Sequence, residues 1–186
     1  MNQKSGSISV RAITVRDVDT LMALTGNPHV VRHLPGMIQD REYAAAWIRG
    51  LTSNDHEMMV LHDGKVIGEC SLTVHGDSGE IGLMLFPEHW RKGYGSETVV
   101  LLTELAGTLG LHAITAVTSP KNDACVGLLK KHGFKQIATG WMLNGADLET
   151  ELDGLFGTVL YQKVLKDDRK KENDVCCGDE GMEEAE

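Results

Sequence analysis

Between Trp90 and Ser96 the chain reads Trp-Arg-Lys-Gly-Tyr-Gly-Ser, and two glycines one residue apart let a loop turn its backbone N–H groups toward a single point. A strand-like run from Glu80 to Phe86 leads into this turn, and a helix-like run from Glu97 to Leu105 leads out of it. The positive end of such a helix aims at the same point, so a phosphate or pyrophosphate is its natural occupant. The bland alternative, a tight strand-to-helix connection, stays open on the turn alone. Two better-known phosphate motifs do not fit. A dinucleotide-binding strand requires a third glycine where this chain has Thr98, and a P-loop requires its lysine after the glycine, whereas Lys92 precedes Gly93. A metal reading is weak: His29 and His33 lie four apart, as zinc ligands on a helix do, but no third ligand stands at useful spacing.

The elements around the turn alternate. Strands are predicted over 8–13, 57–61, 66–74, 80–86, 112–118, 134–142 and 157–164, and helices over 17–25, 40–52, 95–109 and 122–133. A short helical segment lies between Pro28 and Pro35, and Asp63-Gly64 is a hairpin signal. Asp17, Asp40 and Asn122 are the expected N-caps. The order implies an α/β chain, with a mixed sheet carrying helices on both faces. Trp47 and Ala44–Ala46 read as a helix face packed on that sheet.

The 186 residues suffice for one domain, expected over 1–165, followed by an acidic disordered tail over 166–186. That tail carries −5 of the formal charge of −9, leaving −4 on the body, which argues against general nucleic-acid binding. No run approaches the roughly 20 apolar residues of a membrane span, and the N-terminus lacks a signal-peptide core. Cys70, Cys125, Cys176 and Cys177 form neither a disulfide framework nor a metal knuckle, so a reducing, cytoplasmic setting is expected. Cys176 and Cys177 within the tail admit lipidation or oxidation only weakly.

Taken whole, Phe86-Pro-Glu-His-Trp-Arg-Lys-Gly-Tyr-Gly-Ser-Glu97 resembles the acetyl-CoA signature of the GNAT superfamily of N-acetyltransferases. Asn122-Asp-Ala-Cys-Val-Gly-Leu-Leu-Lys-Lys-His-Gly-Phe134 resembles its second signature. Val10-Arg-Ala-Ile-Thr-Val-Arg-Asp17 and Gly26-Asn-Pro-His-Val-Val-Arg-His-Leu34 are similar to the branch containing the ribosomal-protein N-terminal alanine and serine acetyltransferases, which polyamine acetyltransferases also resemble. The likeness spans about residues 8 to 165. Two positions depart from it: Trp90 stands where many members carry Arg or Gln, and Cys125 stands where the second signature expects serine.

The resemblance implies a central sheet splayed between the strands ending at Phe86 and Ser119, with the pantetheine arm of acetyl-CoA inserted like a missing strand. The backbone of Leu85 and Phe86 would pair with pantetheine amides, and the amides of Arg91, Lys92, Gly93, Tyr94, Gly95 and Ser96 would hold the pyrophosphate, Lys92 adding a charge. Asn122 would contact the cofactor near the thioester, in addition to capping its helix. The reaction implied is direct acetyl transfer to a primary amine, either a protein N-terminus or a small molecule, in a ternary complex without metal. Glu80 is the leading base, with a solvent-facing glutamate as the bland alternative and Glu69 as a weaker candidate. Cys125, Tyr94 and Tyr161 are candidate acids, although positioning alone can suffice. Residues 26–56 and the Trp141–Gly157 hairpin would wall the acceptor, with Asp40, Glu42, Asp147, Glu149 and Glu151 offering negative charge or simply facing solvent. A monomer or homodimer is expected. The alternative function is a catalytically silent acetyl-CoA sensor or interaction module.

Overall fold

The computed structural model describes residues 8–34, 40–143 and 155–165. The Pro35 turn, the centre of the Trp141–Gly157 hairpin with Asp147, Glu149 and Glu151, and the acidic tail with Cys176 and Cys177 lie outside the described residues. Seven strands form one sheet: β1 (Ile8–Ala12), β2 (Asp55–His62), β3 (Lys65–His75), β4 (Ser78–Leu85), β5 (Ala113–Thr118), β6 (Lys135–Leu143) and β7 (Leu155–Val164). Their order is β1-β2-β3-β4-β5-β7-β6. All neighbours are antiparallel except β4 and β5, which run parallel and are therefore joined by a crossover helix.

That crossover is α4 (Tyr94–Thr108), one of five α-helices among the described residues, with α1 (Val18–Thr25), α2 (Pro28–Val31), α3 (Arg41–Gly50) and α5 (Asp123–Lys131). Two apolar clusters record the layers. On one face Val99, Leu102 and Ala106 of α4 and Leu129 of α5 pack on Cys70, Leu72, Ile81, Leu85 and Ile114. On the other, Val18 and Leu21 of α1 and Ala44 and Ile48 of α3 close over Met59 and Ile13, with Trp47 at the margin. This is the mixed α/β sheet with helices on both faces that the sequence predicts.

Local chemistry explains most boundaries. Asp40 accepts from the Tyr43 N–H and caps α3, and Asn122 accepts from the Cys125 N–H and caps α5. Asp17 behaves otherwise. It stands at the start of α1 but makes no cap bond there. Its carboxylate is gripped by both terminal nitrogens of Arg11, at 2.6 and 2.8 Å, and takes the Thr14 N–H and hydroxyl at 2.9 Å. A bidentate guanidinium outcompetes a neutral amide for a carboxylate. These bonds, the Arg11 pair foremost, lower the Asp17 pKa to about 2.

The β2–β3 turn is the expected two-residue hairpin, with Asp63 and Gly64 at φ 50° and 75°. A bulge between Val60 and Leu61 then shifts its register by one residue. Beyond the bulge, Met59 faces Glu69 and Glu57 faces Ser71. One extra residue flips which side chains share a face.

Candidate active site

β4 and β5 pair over only three rungs, Ser78 with Ala113 through Glu80 with Thr115. Past Glu80 they separate, although β4 runs on to Leu85 and β5 to Thr118. Each is held on its outer edge, β4 by β3 through Leu85 and β5 by β7 through Thr118, so the gap between them is bounded by ordered backbone. The Phe86 N–H donates to the Ile67 carbonyl at 3.0 Å. Antiparallel alternation then turns the backbone of Leu83 and Leu85 away from β3 and toward the gap. Two of the groups assigned to pantetheine by resemblance have protein partners instead. The Phe86 carbonyl accepts from the His89 N–H at 2.9 Å, and the Leu85 carbonyl accepts from the Trp90 indole N–H at 2.7 Å.

The phosphate-type loop lies at the wide end of the gap. Arg91 and Gly93 both adopt left-handed backbone, at φ 59° and 92°. Strained backbone at a non-glycine residue such as Arg91 costs on the order of 1–3 kcal/mol and concentrates at functional sites. Gly93 begins α4 with no side-chain cap, whereas α3 and α5 are capped by Asp40 and Asn122. First-turn amides of α4 therefore remain available to an anion. The Ser96 N–H is not among them, because it bonds the Gly93 carbonyl at 2.9 Å. Arg91 and Lys92 are exposed, and the Gly95 backbone is flanked by Leu83, Leu85 and Leu128. Tyr94 is buried, with its ring centroid 4.5 Å from that of His62 and its hydroxyl 3.2 Å from Nε2 of the same residue, which makes it a support for the loop. Ser96 Oγ lies 2.6 Å from His132 Nε2 at the end of α5 and ties the loop to the second signature.

Asn122 and Cys125 lie at the β5 side of the gap. The Asn122 side-chain oxygen is occupied by its cap bond at 3.2 Å. Cys125 is half-buried and within hydrogen-bonding reach of Thr118, and burial pushes its thiol pKa up, so it keeps its proton near neutrality. His33 lies within electrostatic reach of Asp123, which brings the chain after α2 to the start of α5. Tyr161 is buried in the core cluster. His33 Nε2 accepts from Arg32 Nε at 3.0 Å, and among the described residues no group of three or more His, Cys, Asp or Glu side chains is arranged to hold a metal.

The helix α1 and α3 face of the sheet carries acid beside the gap. Glu80 is exposed at the last rung before the strands part, between Thr73 and Thr115. One rung on, Glu57, Ser71 and Gly82 form a row across three strands, and the next row holds Met59, Glu69 and Met84. A side chain at position 82 would put its Cβ 2.5 Å from Ser71 Oγ, so glycine there leaves room for that hydroxyl at the edge of the gap. Glu69 is 5% exposed and its carboxyl lies within hydrogen-bonding reach of Glu57. Burial, then the neighbouring Glu57, pushes the Glu69 pKa well above the usual carboxylate range, and burial also raises Glu57. Asp40 and Glu42 are exposed on α3, with Asp40 committed to its cap.

Four residues around the gap were not singled out by the sequence: Glu57, Ser71, Trp90 for its indole, and His132. Glu57, Ser71 and His132 meet their neighbours across strands or between helices, and Trp90 across a turn, where spacing along the chain carries no signal.

A profile described as "Acetyltransferase (GNAT) domain" matches residues 8–135. The chain is 30% identical over 140 residues to YoaA of Bacillus subtilis (strain 168), an uncharacterised N-acetyltransferase, covering 68% of this chain and 78% of that one. The structure of ribosomal-protein-alanine N-acetyltransferase from Brucella melitensis superposes with a TM-score of 0.68 at 20% identity, covering 84% of this chain and 99% of that one. YncA from Salmonella typhimurium, solved with its cofactor acetyl-CoA, gives a TM-score of 0.65 at 18% identity over 86% and 95% of the two chains. The chain belongs to the GNAT acetyltransferase family and is an acetyl-CoA-dependent N-acetyltransferase.

Proposed function

We propose that this enzyme acetylates a primary amine by direct attack within a ternary complex, with acetyl-CoA lying in the gap between β4 and β5. The observation that carries the reading is the gap itself. Paired strands stand about 4.8 Å apart, so an extended arm bearing amides fits beside β4 as an added strand. Leu83 and the N–H of Leu85 would meet it there, rather than Leu85 and Phe86 throughout. The uncapped start of α4, with Arg91, Lys92, Gly93, Tyr94 and Gly95, would take the pyrophosphate, and Ser96 would add its hydroxyl.

The acceptor enters from the α1 and α3 face, where Glu80 stands at the vertex of the splay. An alkylamine of pKa near 10 is about one part in a thousand neutral at pH 7, a deficit of about 4 kcal/mol that a base must offset. A protein α-amine, with a pKa near 8, is about one part in ten neutral at pH 7, a deficit of about 1.4 kcal/mol. Glu80 is the proposed base, acting through water. Cys125 holds its proton beside the gap and is the proposed donor to the departing thiolate. Asn122 contributes its remaining amide hydrogens near the thioester.

The acceptor is either a protein N-terminus, in line with the branch signatures at 10–17 and 26–34, or a small cationic amine. CoA release measured against polyamines, aminoglycosides, amino acids and N-terminal peptides tests this. Turnover confined to one class names the acceptor. Glu80→Gln is then expected to lower kcat by about 100-fold or more, and unchanged kcat would remove Glu80 from the mechanism.

A further inference from the structure

We propose that Glu57 and Glu69 hold one proton between them, and that this singly charged pair is the sink for the proton leaving the acceptor ammonium. The inference rests on the acceptor reading above and assigns the pair a role in it.

The placement comes first. Glu57 and Glu69 are diagonal neighbours on adjacent strands, on the face shared with Glu80. A hydrogen bond between two carboxyl groups exists only while one of them carries a proton. Once both ionise, Glu69 is a buried anion facing a second anion, a state that like charges and desolvation both oppose. Among the described residues no cation is placed against the pair. Arg11 lies in the same row, beyond Met59, but is engaged on both nitrogens by Asp17. The charged groups nearest the pair on this face are acidic, Asp55 beside Glu57 and Glu80 at the vertex, while His75 lies farther along β3 within electrostatic reach of Asp55. What α1 and α3 bring to Met59 is apolar: Val18, Leu21, Ala44 and Ile48.

The second observation is the path to the gap. Ser71 separates Glu57 from Gly82 in one row, and its hydroxyl occupies the space that a Cβ at position 82 would take. β4 forms the wall of the gap at that residue. A hydroxyl, which both donates and accepts, thus stands between the pair and the reacting centre.

The proton balance closes. The ammonium passes one proton, by way of the water at Glu80 and the Ser71 hydroxyl, to the pair, which becomes neutral. The amine lone pair forms the C–N bond at the thioester carbonyl, and the C–S bond breaks as the carbonyl re-forms. Cys125 gives its proton to the thiolate and is reprotonated by the remaining N–H proton, giving CoA thiol and amide. The pair then returns its proton to solvent.

The pair behaves as one group, so its titration belongs to both residues. The test has two parts. In the first, carbon-13 NMR of glutamate-labelled protein follows the side-chain carboxyl resonances, assigned by Glu57→Gln and Glu69→Gln, from pH 3 to 9. The expected result is one carboxyl of the pair still protonated at neutral pH; both ionising below pH 5 overturns the shared proton. In the second, kcat/KM is measured against pH with spermidine and with an alanyl peptide. Wild type should lose activity about tenfold per pH unit below the pair's lower ionisation, where the pair is already neutral. Either single Gln variant should move that limb to higher pH, because an amide is a weaker donor to the remaining carboxylate than the carboxyl it replaces, and the double variant should lose about 100-fold or more. A purely structural pair would lower Tm and leave the limb in place, which overturns the proposal, as does a limb abolished by Glu80→Gln alone. Acetyl-CoA binding without turnover of any amine would refute the acceptor reading and the sink role with it, while the NMR result would still decide the shared proton.

Discussion

Gly93 offers the sharpest test of the loop. Its φ of 92° lies where L-residues are strained, and among the described residues beyond its own neighbours an added Cβ would meet Glu97 Oε1 alone, at 3.9 Å. Substitution there perturbs the backbone and little else. Gly93→Ala should cost about 1–2 kcal/mol if the loop keeps its shape, or roughly 2–8 °C in Tm for a chain of this size. Gly93→Pro fixes φ near −65° and deletes an N–H, so the loop must rebuild. In wild type, acetyl-CoA at 100 times Kd should stabilise by about 2.7 kcal/mol, a rise of roughly 5–11 °C. Thermal shift with and without acetyl-CoA reads both terms separately. Gly93→Pro should melt cooperatively yet show almost no ligand-induced rise. Gly76→Ala is the control: φ there is 65° with open space around it, in a turn remote from the loop, so it should show a similar apo loss and the full ligand rise. A full ligand rise in Gly93→Pro, or an equal loss of it in Gly76→Ala, would refute the assignment of the loop to the pyrophosphate. Gly95→Glu complements this pair, since Leu128, Leu83 and Leu85 leave a Cβ ordinary contacts while the carboxylate repels an anion.

Two further predictions concern stability. The Asp17 pKa, lowered to about 2 from 3.8, means that ionised Asp17 stabilises the fold above about pH 4, and that this contribution disappears as pH falls through 2. The full shift would correspond to about 2.4 kcal/mol, but Arg11 is 43% exposed, so screening reduces the expected cost of Asp17→Asn to about 1 kcal/mol at pH 7. Urea melts at pH 7 and pH 2 should show the difference closing; a constant difference would contradict the ion-pair account. Trp90→Phe leaves the Leu85 carbonyl without its indole donor and should cost about 1 kcal/mol in urea denaturation. An unchanged midpoint would mean that the bond adds nothing to stability.

Strand and helix boundaries were legible because their causes are local. The Asp63-Gly64 turn, the caps at Asp40 and Asn122, and the periodicity of α4 each require only a few neighbouring residues. The Gly93-Tyr94-Gly95 loop was legible for the same reason. Its partners were not. Trp90 bonds a carbonyl five residues back across a turn, and Ser96 meets His132 from a helix 36 positions later in the chain. Asp17 failed as a cap because Arg11, six residues upstream on a different element, offered a stronger bond.

The acid pair shows how far one residue of register reaches. Counted from a regular two-residue turn at Asp63-Gly64, Met58 would face Glu69, and Glu57 would project from the opposite side of the sheet. The bulge at Val60 and Leu61 moves every later rung by one, so Met59 faces Glu69 and Glu57 joins it. The same shift directs Met58 into the cluster beneath α4 and Met59 into the cluster beneath α1 and α3. Three consecutive apolar residues, Met58, Met59 and Val60, satisfy either register and so carry no information about which one forms. The two carboxylates argue against the observed register, since burying both costs energy that a regular hairpin would avoid. A bulge that brings them together despite that cost is a feature to be explained by the site and not by stability, which is why proton transfer beside the gap, and not packing, is the role we assign to them.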